Sequence, residues 1–165
     1  LEVGQRWHDG NFTIAQERLV TSSVRKQVSG VVDTYNRIAN GPLVVLATLS
    51  GERHELGILM CALLASSKGL RCQYLGPDLP APDIAIFTER VGAAAVALSL
   101  VSNENMPQSV DELHSLARLL PQSIEIWVGG LATREIRIEQ LPPRCRVLPD
   151  YPAFERQVEV LAGRA

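Results

Sequence analysis

The chain has 165 residues, a hydrophobic fraction of 46% and a formal net charge of −2. That length suffices for one α/β domain with a small appendage, and near-neutral charge without a Lys/Arg run gives no electrostatic footprint for nucleic acid within the segment. No apolar run approaches the roughly 18 residues of a membrane span, no secretory signal opens the chain, and Cys61, Cys72 and Cys145 form no C-x-x-C pair, so a cytoplasmic protein with reduced thiols and no membrane partner is expected.

The elements follow in order. Leu1 to His8 reads as the end of a helix stopped by Gly10. Thr13 and Gln16 have the spacing of a capping box and open a long helix to about Ile38. Its apolar positions are Ile14, Leu19, Val24, Val28, Val31, Val32 and Tyr35, at roughly helical spacing. Asn40-Gly41-Pro42 ends it. Residues 1–40 are thus expected to be part of a helical bundle whose other helices lie upstream, because two helices alone bury little.

Residues 41–165 repeat a βα pattern. Strand-like runs are LVVLATL (43–49), LRCQYL (70–75), AAAVALSL (93–100), IEIWV (124–128) and CRVL (145–148). Helical segments are expected to start near Glu55, Pro82, Ser109, Thr133 and Tyr151. Strands alternating with helices predict an α/β fold: a doubly wound, five-stranded parallel sheet of flavodoxin-like, Rossmann type. In such sheets ligands sit outside the carboxyl ends of the strands, where SGERHELG, GPDLPAPD, SLVSNEN and GGLATRE all fall.

SGERHELG contains E-x-H-x-x-G directly after the first strand. Glu52 lies two residues before His54, close enough to orient one ring nitrogen and leave the other free for a metal. Gly57 lets a bulky group approach the helix start. The plain alternative is a surface or helix-capping histidine. A phosphate cradle would need more than Gly51 and Arg53, since no G-x-G-x-x-G is present. Elsewhere, Asn103, Glu104 and Asn105 sit at the rim, His114 reads as an exposed helix residue, and Thr133 and Arg134 could meet a phosphate at a helix N-terminus.

E-x-H-x-x-G resembles the D-x-H-x-x-G signature of cobalamin-binding domains, and two further marks lie at matching positions: Ser99-Leu100-Val101 and the pair Gly129-Gly130. The resemblance covers residues 43 to about 160. It implies that His54 replaces the cofactor's own base as lower axial ligand to cobalt, while the nucleotide tail threads past Gly57, Ser99, Val101, Gly129 and Gly130. It also brings in Arg53, Leu59, Leu75, Gly76 and Thr133 as contacts. GERHELG followed by LGPDLPAPDI is most similar to light-sensing, adenosylcobalamin-dependent regulators of the CarH/LitR type. These carry W-x9-E-H in a preceding bundle; here Trp7 is followed by Glu17, with Arg18 in the place of the histidine.

That likeness implies that Trp7 caps the corrin, Glu17 meets the adenosyl group and His8 takes the vacated cobalt face after light breaks the Co–C bond. It implies a homo-oligomer that changes state on illumination, no turnover, and DNA contact only through a domain outside this segment. Arg18 departs from the pattern and would suit a propionate, so a second pigment such as a bilin (biliverdin) is an open expectation. The alternative is the corrinoid carrier of a methyltransferase system. A receiver domain is disfavoured, because only Glu52 follows the first strand where clustered aspartates are required.

Overall fold

Buried strands of a parallel sheet read as unbroken apolar runs, because helices cover both faces. The computed structural model, which describes residues 13–104 and 106–164, shows this directly. Five strands, β1 (Leu43–Leu49), β2 (Arg71–Leu79), β3 (Ala95–Ser99), β4 (Glu125–Gly129) and β5 (Cys145–Leu148), form one parallel sheet in the order β2-β1-β3-β4-β5. The α-helices are α1 (Ile14–Asn36), α2 (Leu56–Ser67), α3 (Ala81–Arg90), α4 (Met106–Leu119) and α5 (Tyr151–Ala162). The expected end of a helix at Leu1 to His8 lies outside the described residues.

Alternate residues of the strands feed two cores. Val45, Ala47, Val96, Leu98, Ile126 and Val128 pack with Ile84 of α3 and Leu113 and Leu116 of α4. On the other face, Val44, Leu46, Ala95, Ala97 and Trp127 pack with Ile58, Ala62 and Ala65 of α2 and Phe154, Val158 and Leu161 of α5. The sheet is therefore doubly wound, as the βα alternation predicts.

α2 is apolar on nearly every side, LGILMCALLASS, which suits a helix covered all round. It lies between the sheet and α1, which adds a third layer. Val32 of α1 joins the core beneath it. The capping box at the start of α1 forms as its spacing predicts: Gln16 N donates to Thr13 Oγ1 (3.2 Å) and Thr13 N to Gln16 Oε1 (2.9 Å). At the other end, the Asn36 amide donates to Cys72 O (2.7 Å) and accepts from Cys72 N (2.8 Å). This one side chain both fastens α1 to the sheet and occupies the outward N–H and C=O of Cys72 on an edge strand, which would otherwise be open to pairing.

Two elements differ from the sequence reading. No α-helix starts at Thr133. The β4–β5 connection consists of two 3₁₀ turns, Leu131–Arg134 and Ile138–Gln140. Its apolar residues Leu131, Ile136, Ile138 and Leu141 follow no helical stripe, and Pro142-Pro143 forbids a longer helix. β2 also runs past Leu75 through Gly76 and Pro77 with a register shift, tolerable because it is an edge strand. Arg144 ties this region together: its guanidinium donates to the carbonyls of Ala117, Leu120, Pro121 and Ile124 at the end of α4. Among the described residues no helix is long and apolar enough to cross a membrane, and the three cysteines are free thiols.

Candidate functional site

The strand order reverses between β1 and β3, so the loops leaving these strands diverge and open a crevice. Glu52 sits at that switch point with only 4% of its surface exposed. Its Oε1 accepts His54 N at 2.8 Å and faces His54 Nδ1 at 2.6 Å. Its Oε2 accepts Val101 N and Ser102 N, each at 2.7 Å. One carboxylate thus stitches the loop after β1 to the loop after β3. Burial alone would raise the Glu52 carboxyl, but the N–H donors of Ser102, His54 and Val101 and the His54 ring outweigh it and hold the group below its ordinary 4.5. An ionised acceptor fixes the neutral imidazole as the Nδ1–H tautomer and leaves the Nε2 lone pair uncommitted.

The loop is further pinned from below. Thr48 Oγ1 donates to Glu52 O (2.5 Å) and accepts from Asp78 N (3.0 Å). Asp78, in the left-handed region at φ 63°, accepts Gly51 N at 2.8 Å and faces Arg53 at 3.6 Å. The outcome is a rigid loop presenting an imidazole whose side chain is 66% exposed.

His54 stands on the wall of a slot of about 590 Å³. The slot runs between α2 and α5 across the ends of β3, β4 and β5. Its buried walls are Ile58, Ala97, Trp127 and Phe154, with Arg53, His54, Arg134 and Tyr151 toward solvent. Trp127 and Phe154 meet edge to face, ring centroids 5.8 Å apart at 84°. The Trp127 indole N–H is committed to Glu125 Oε2 at 2.8 Å, so the ring offers the slot an apolar face. Gly57 opens the upper wall: a Cβ there would stand 3.9 Å from both Ser99 Oγ and Tyr151 Oη. The Ser99 hydroxyl, 6% exposed, lines this slot. From α1, Glu17 and Thr21 reach the same slot, and Thr21 Oγ1 donates to Glu17 Oε1 at 3.0 Å.

The expected site residues separate into two groups. Glu17, Arg53, His54, Gly57, Ser99, Val101, Gly129, Gly130 and Arg134 come together around the slot, with Glu52 behind His54. Leu59 is buried at 1% exposure and turned about 100° from Ile58 on α2. Leu75 packs against the α3/α4 side, and Gly76 lies in the irregular part of β2 at φ 104°. Thr133 is buried and its hydroxyl donates to Gly130 O (2.7 Å). Arg18 is exposed on α1. These five do not line the slot. Trp7, His8 and Asn105 lie outside the described residues. His114 is half-buried, its Nε2 3.0 Å from Gln140 O, and so braces the β4–β5 connection.

The glycine pair has a reason inside the protein itself. At Gly130, φ is 102° and a Cβ would lie 2.2 Å from Leu100 O; at Gly129 it would lie 2.9 Å from Leu148 O. The chain crosses its own backbone there, and the slot wall follows from that approach. Sequence reasoning missed Trp127, Tyr151 and Phe154 as slot residues, and Asp78 as the loop's anchor. Trp127 carried a usable signal, a bulky aromatic inside the β4 run.

A parallel α/β domain with an oriented imidazole beside a deep slot can take a large metal macrocycle at its strand ends and an appended tail between its helices. The residues fit a cobalamin on these grounds: a free Nε2 on a fixed ring, a wall left without a side chain at Gly57, and a hydroxyl facing the slot at Ser99. Residues 42–141 match the family model described as B12 binding domain, and the chain belongs to that family. It is 35% identical over 135 residues to the HTH-type transcriptional repressor CarH of Myxococcus xanthus, an alignment covering 81% of this chain and 44% of the relative. The chain thus spans less than half of that relative's length. The dimethylamine corrinoid protein 3 of Methanosarcina mazei is 19% identical over 98% of this chain and 99% of that one. The Methanosarcina barkeri monomethylamine corrinoid protein superposes with a TM-score of 0.68 at 14% identity, covering 95% of this chain and 76% of that one, which shows a shared fold.

Proposed function

We propose that this chain is a cobalamin-binding regulatory module in which His54 is the lower axial ligand to cobalt and the helical segment reads the upper face. The observation that carries it is the Glu52–His54 pair at 2.6 Å: a buried carboxylate fixing the imidazole at the mouth of the slot. When bound, the adenosyl form of the cofactor supplies a Co–C bond that light cleaves. The chain's residues do the rest. Glu52 holds the Nδ1 proton and keeps Nε2 available. Arg53, Gly57, Ser99, Val101, Gly129 and Gly130 take the nucleotide tail. Glu17 and Thr21 bring α1 over the mouth, where an upper-face group would bear on it, and Trp7 and His8 are assigned to that same face. A helix whose position depends on what occupies the mouth is a two-state element biased by a ligand, as a switch requires. No catalytic side chain is assigned.

The relative at 35% identity is a transcriptional repressor, which supports regulation as the output, in the cytoplasm, with homo-oligomer changes as the signal and DNA contact through a domain outside these residues. A second pigment such as biliverdin would draw on Arg18 alone and is not carried into the proposal. The test is to load the protein with adenosylcobalamin in the dark and follow absorption and size-exclusion volume across green illumination. Both should change, and methylcobalamin should not reproduce the dark size. A size indifferent to light and to the upper ligand would overturn the reading.

A second reading, a corrinoid carrier, is favoured by one observation: the M. mazei corrinoid protein aligns over nearly all of both chains. A carrier would bind cobalamin through the same imidazole and keep one size throughout.

A further inference from the structure

Glu55 follows His54 and occupies the N-cap position of α2, yet its side chain makes no capping hydrogen bond. A carboxylate there would ordinarily serve the helix's own free N–H groups. Instead it lies at the slot wall and is committed to two other elements. Its Oε1 accepts Arg25 Nη1 from α1 at 3.1 Å, and its Oε2 accepts the Tyr74 hydroxyl from β2 at 2.5 Å. The Glu55 side chain is 11% exposed and that of Arg25 49%, so the pair is shielded from water on the carboxylate side. Burial, then the carboxylate beside it, raises the Tyr74 phenol, which therefore stays a donor.

The placement of these bonds along α1 matters. Asn36 anchors the far end of the helix to the edge strand through Cys72. Arg25 lies about 16 Å back along the axis, and Glu17 about 12 Å further. Glu17 and Thr21 line the slot, Leu19 between them is 69% exposed, and Ile14 in the first turn is 62% exposed. α1 is thus fixed at Asn36, packed on the core through Val28 and Val32, latched at Arg25, and carries its N-terminal turns over the slot. The latch closes on the residue adjoining the imidazole.

We propose that Glu55 is a positioning residue: the Arg25–Glu55–Tyr74 clasp ties the place of α1 to the place of the His54 imidazole, so that displacing the helix from the mouth loosens the ligand loop. This rests on the reading of His54 as the cobalt ligand, but the clasp itself is testable without cofactor. In Glu55→Gln the acceptor loses its charge: the amide oxygen can still take Arg25, while the NH₂ faces a Tyr74 hydroxyl that must turn from donor to acceptor. Arg25→Ala cuts the latch alone, at a half-exposed surface position that leaves the core intact. Arg25→Lys retains a charge-assisted donor.

Two readouts decide it. In the apoprotein, hydrogen exchange across residues 53–57 should quicken about tenfold in Arg25→Ala and Glu55→Gln, the scale of losing one hydrogen bond to a charged group, and return toward the parent rate in Arg25→Lys. In the cobalamin-loaded protein, the fraction of cobalt carrying the protein imidazole, read from the absorption spectrum, should fall in the first two variants and recover in the third, with corrinoid affinity changing less. Unchanged exchange and an unchanged imidazole-bound fraction in both Arg25→Ala and Glu55→Gln would overturn the proposal, including when melting temperature drops. If the parent protein binds no cobalamin, the proposed function fails while the exchange result still decides whether the clasp holds the loop.

Discussion

Replacing Glu52 by glutamine perturbs the bridge on which the site is built. The carboxylate takes four donors: the His54 backbone N and Nδ1 on one oxygen, and the Val101 and Ser102 N–H groups on the other. A glutamine amide has one oxygen and one NH₂; with the oxygen kept on Val101 and Ser102, the NH₂ meets the His54 ring, which can switch tautomer and accept, and the part-buried His54 backbone N–H, which cannot. That one unpaired group costs about 1–3 kcal/mol. For a chain of this size each kcal/mol moves the melting midpoint by about 2–4 °C, so a fall of at least about 2 °C is expected. The effect has a pH signature. Because the Glu52 carboxyl is held below its ordinary 4.5, its contribution is complete above that value and is lost as pH falls through the depressed one. Urea denaturation across pH should therefore show a constant gap between parent and variant near neutrality that narrows below 4.5. A variant within about 0.5 kcal/mol of the parent at pH 7, or a gap indifferent to acid, would refute the bridge.

Three substitutions separate the slot from the scaffold. Gly57→Ala meets only ordinary contacts at 3.9 Å, so stability should hold or rise by up to about 1 kcal/mol, while cobalamin affinity, measured by titration of the apoprotein, falls about tenfold or more as the methyl enters the slot, a loss of about 1.4 kcal/mol. Gly130→Ala should do the opposite, costing more than about 3 kcal/mol in apoprotein denaturation, because the new Cβ would sit 2.2 Å from Leu100 O. Asn36→Leu removes both bonds to Cys72; a loss of about 1–3 kcal/mol should accompany concentration-dependent association in light scattering, from the uncovered strand edge.

The parts of the fold legible in the sequence were those encoded by local pattern. LVVLATL reads as a strand because both faces of a parallel sheet are buried, and β1 matches it residue for residue. Thr13 and Gln16 declare the start of α1 because both halves of a capping box lie within one turn. The β4–β5 connection misled, since a strand followed by a glycine pair and a polar segment looks like any βα turn; its lack of an apolar stripe was the contrary signal. At the site, the spacing of Glu52 and His54 announced an oriented imidazole. What could not be read is that Glu52 also bridges to Val101 and Ser102, because those partners lie far along the chain and present only backbone N–H groups, which any residue carries. Arg25, Tyr74 and Glu55 were hidden for a related reason: each is unremarkable alone, and only the packing of α1 over α2 brings them together.

The central claim is one bond, from His54 Nε2 to cobalt. It is tested most directly by electron paramagnetic resonance of the protein loaded with cob(II)alamin after growth on ¹⁵N-labelled histidine. A superhyperfine pattern that changes from the triplet of ¹⁴N to the doublet of ¹⁵N, and disappears in His54→Ala, is the expected result. A nitrogen pattern that ignores the label, or that survives the substitution, would contradict it.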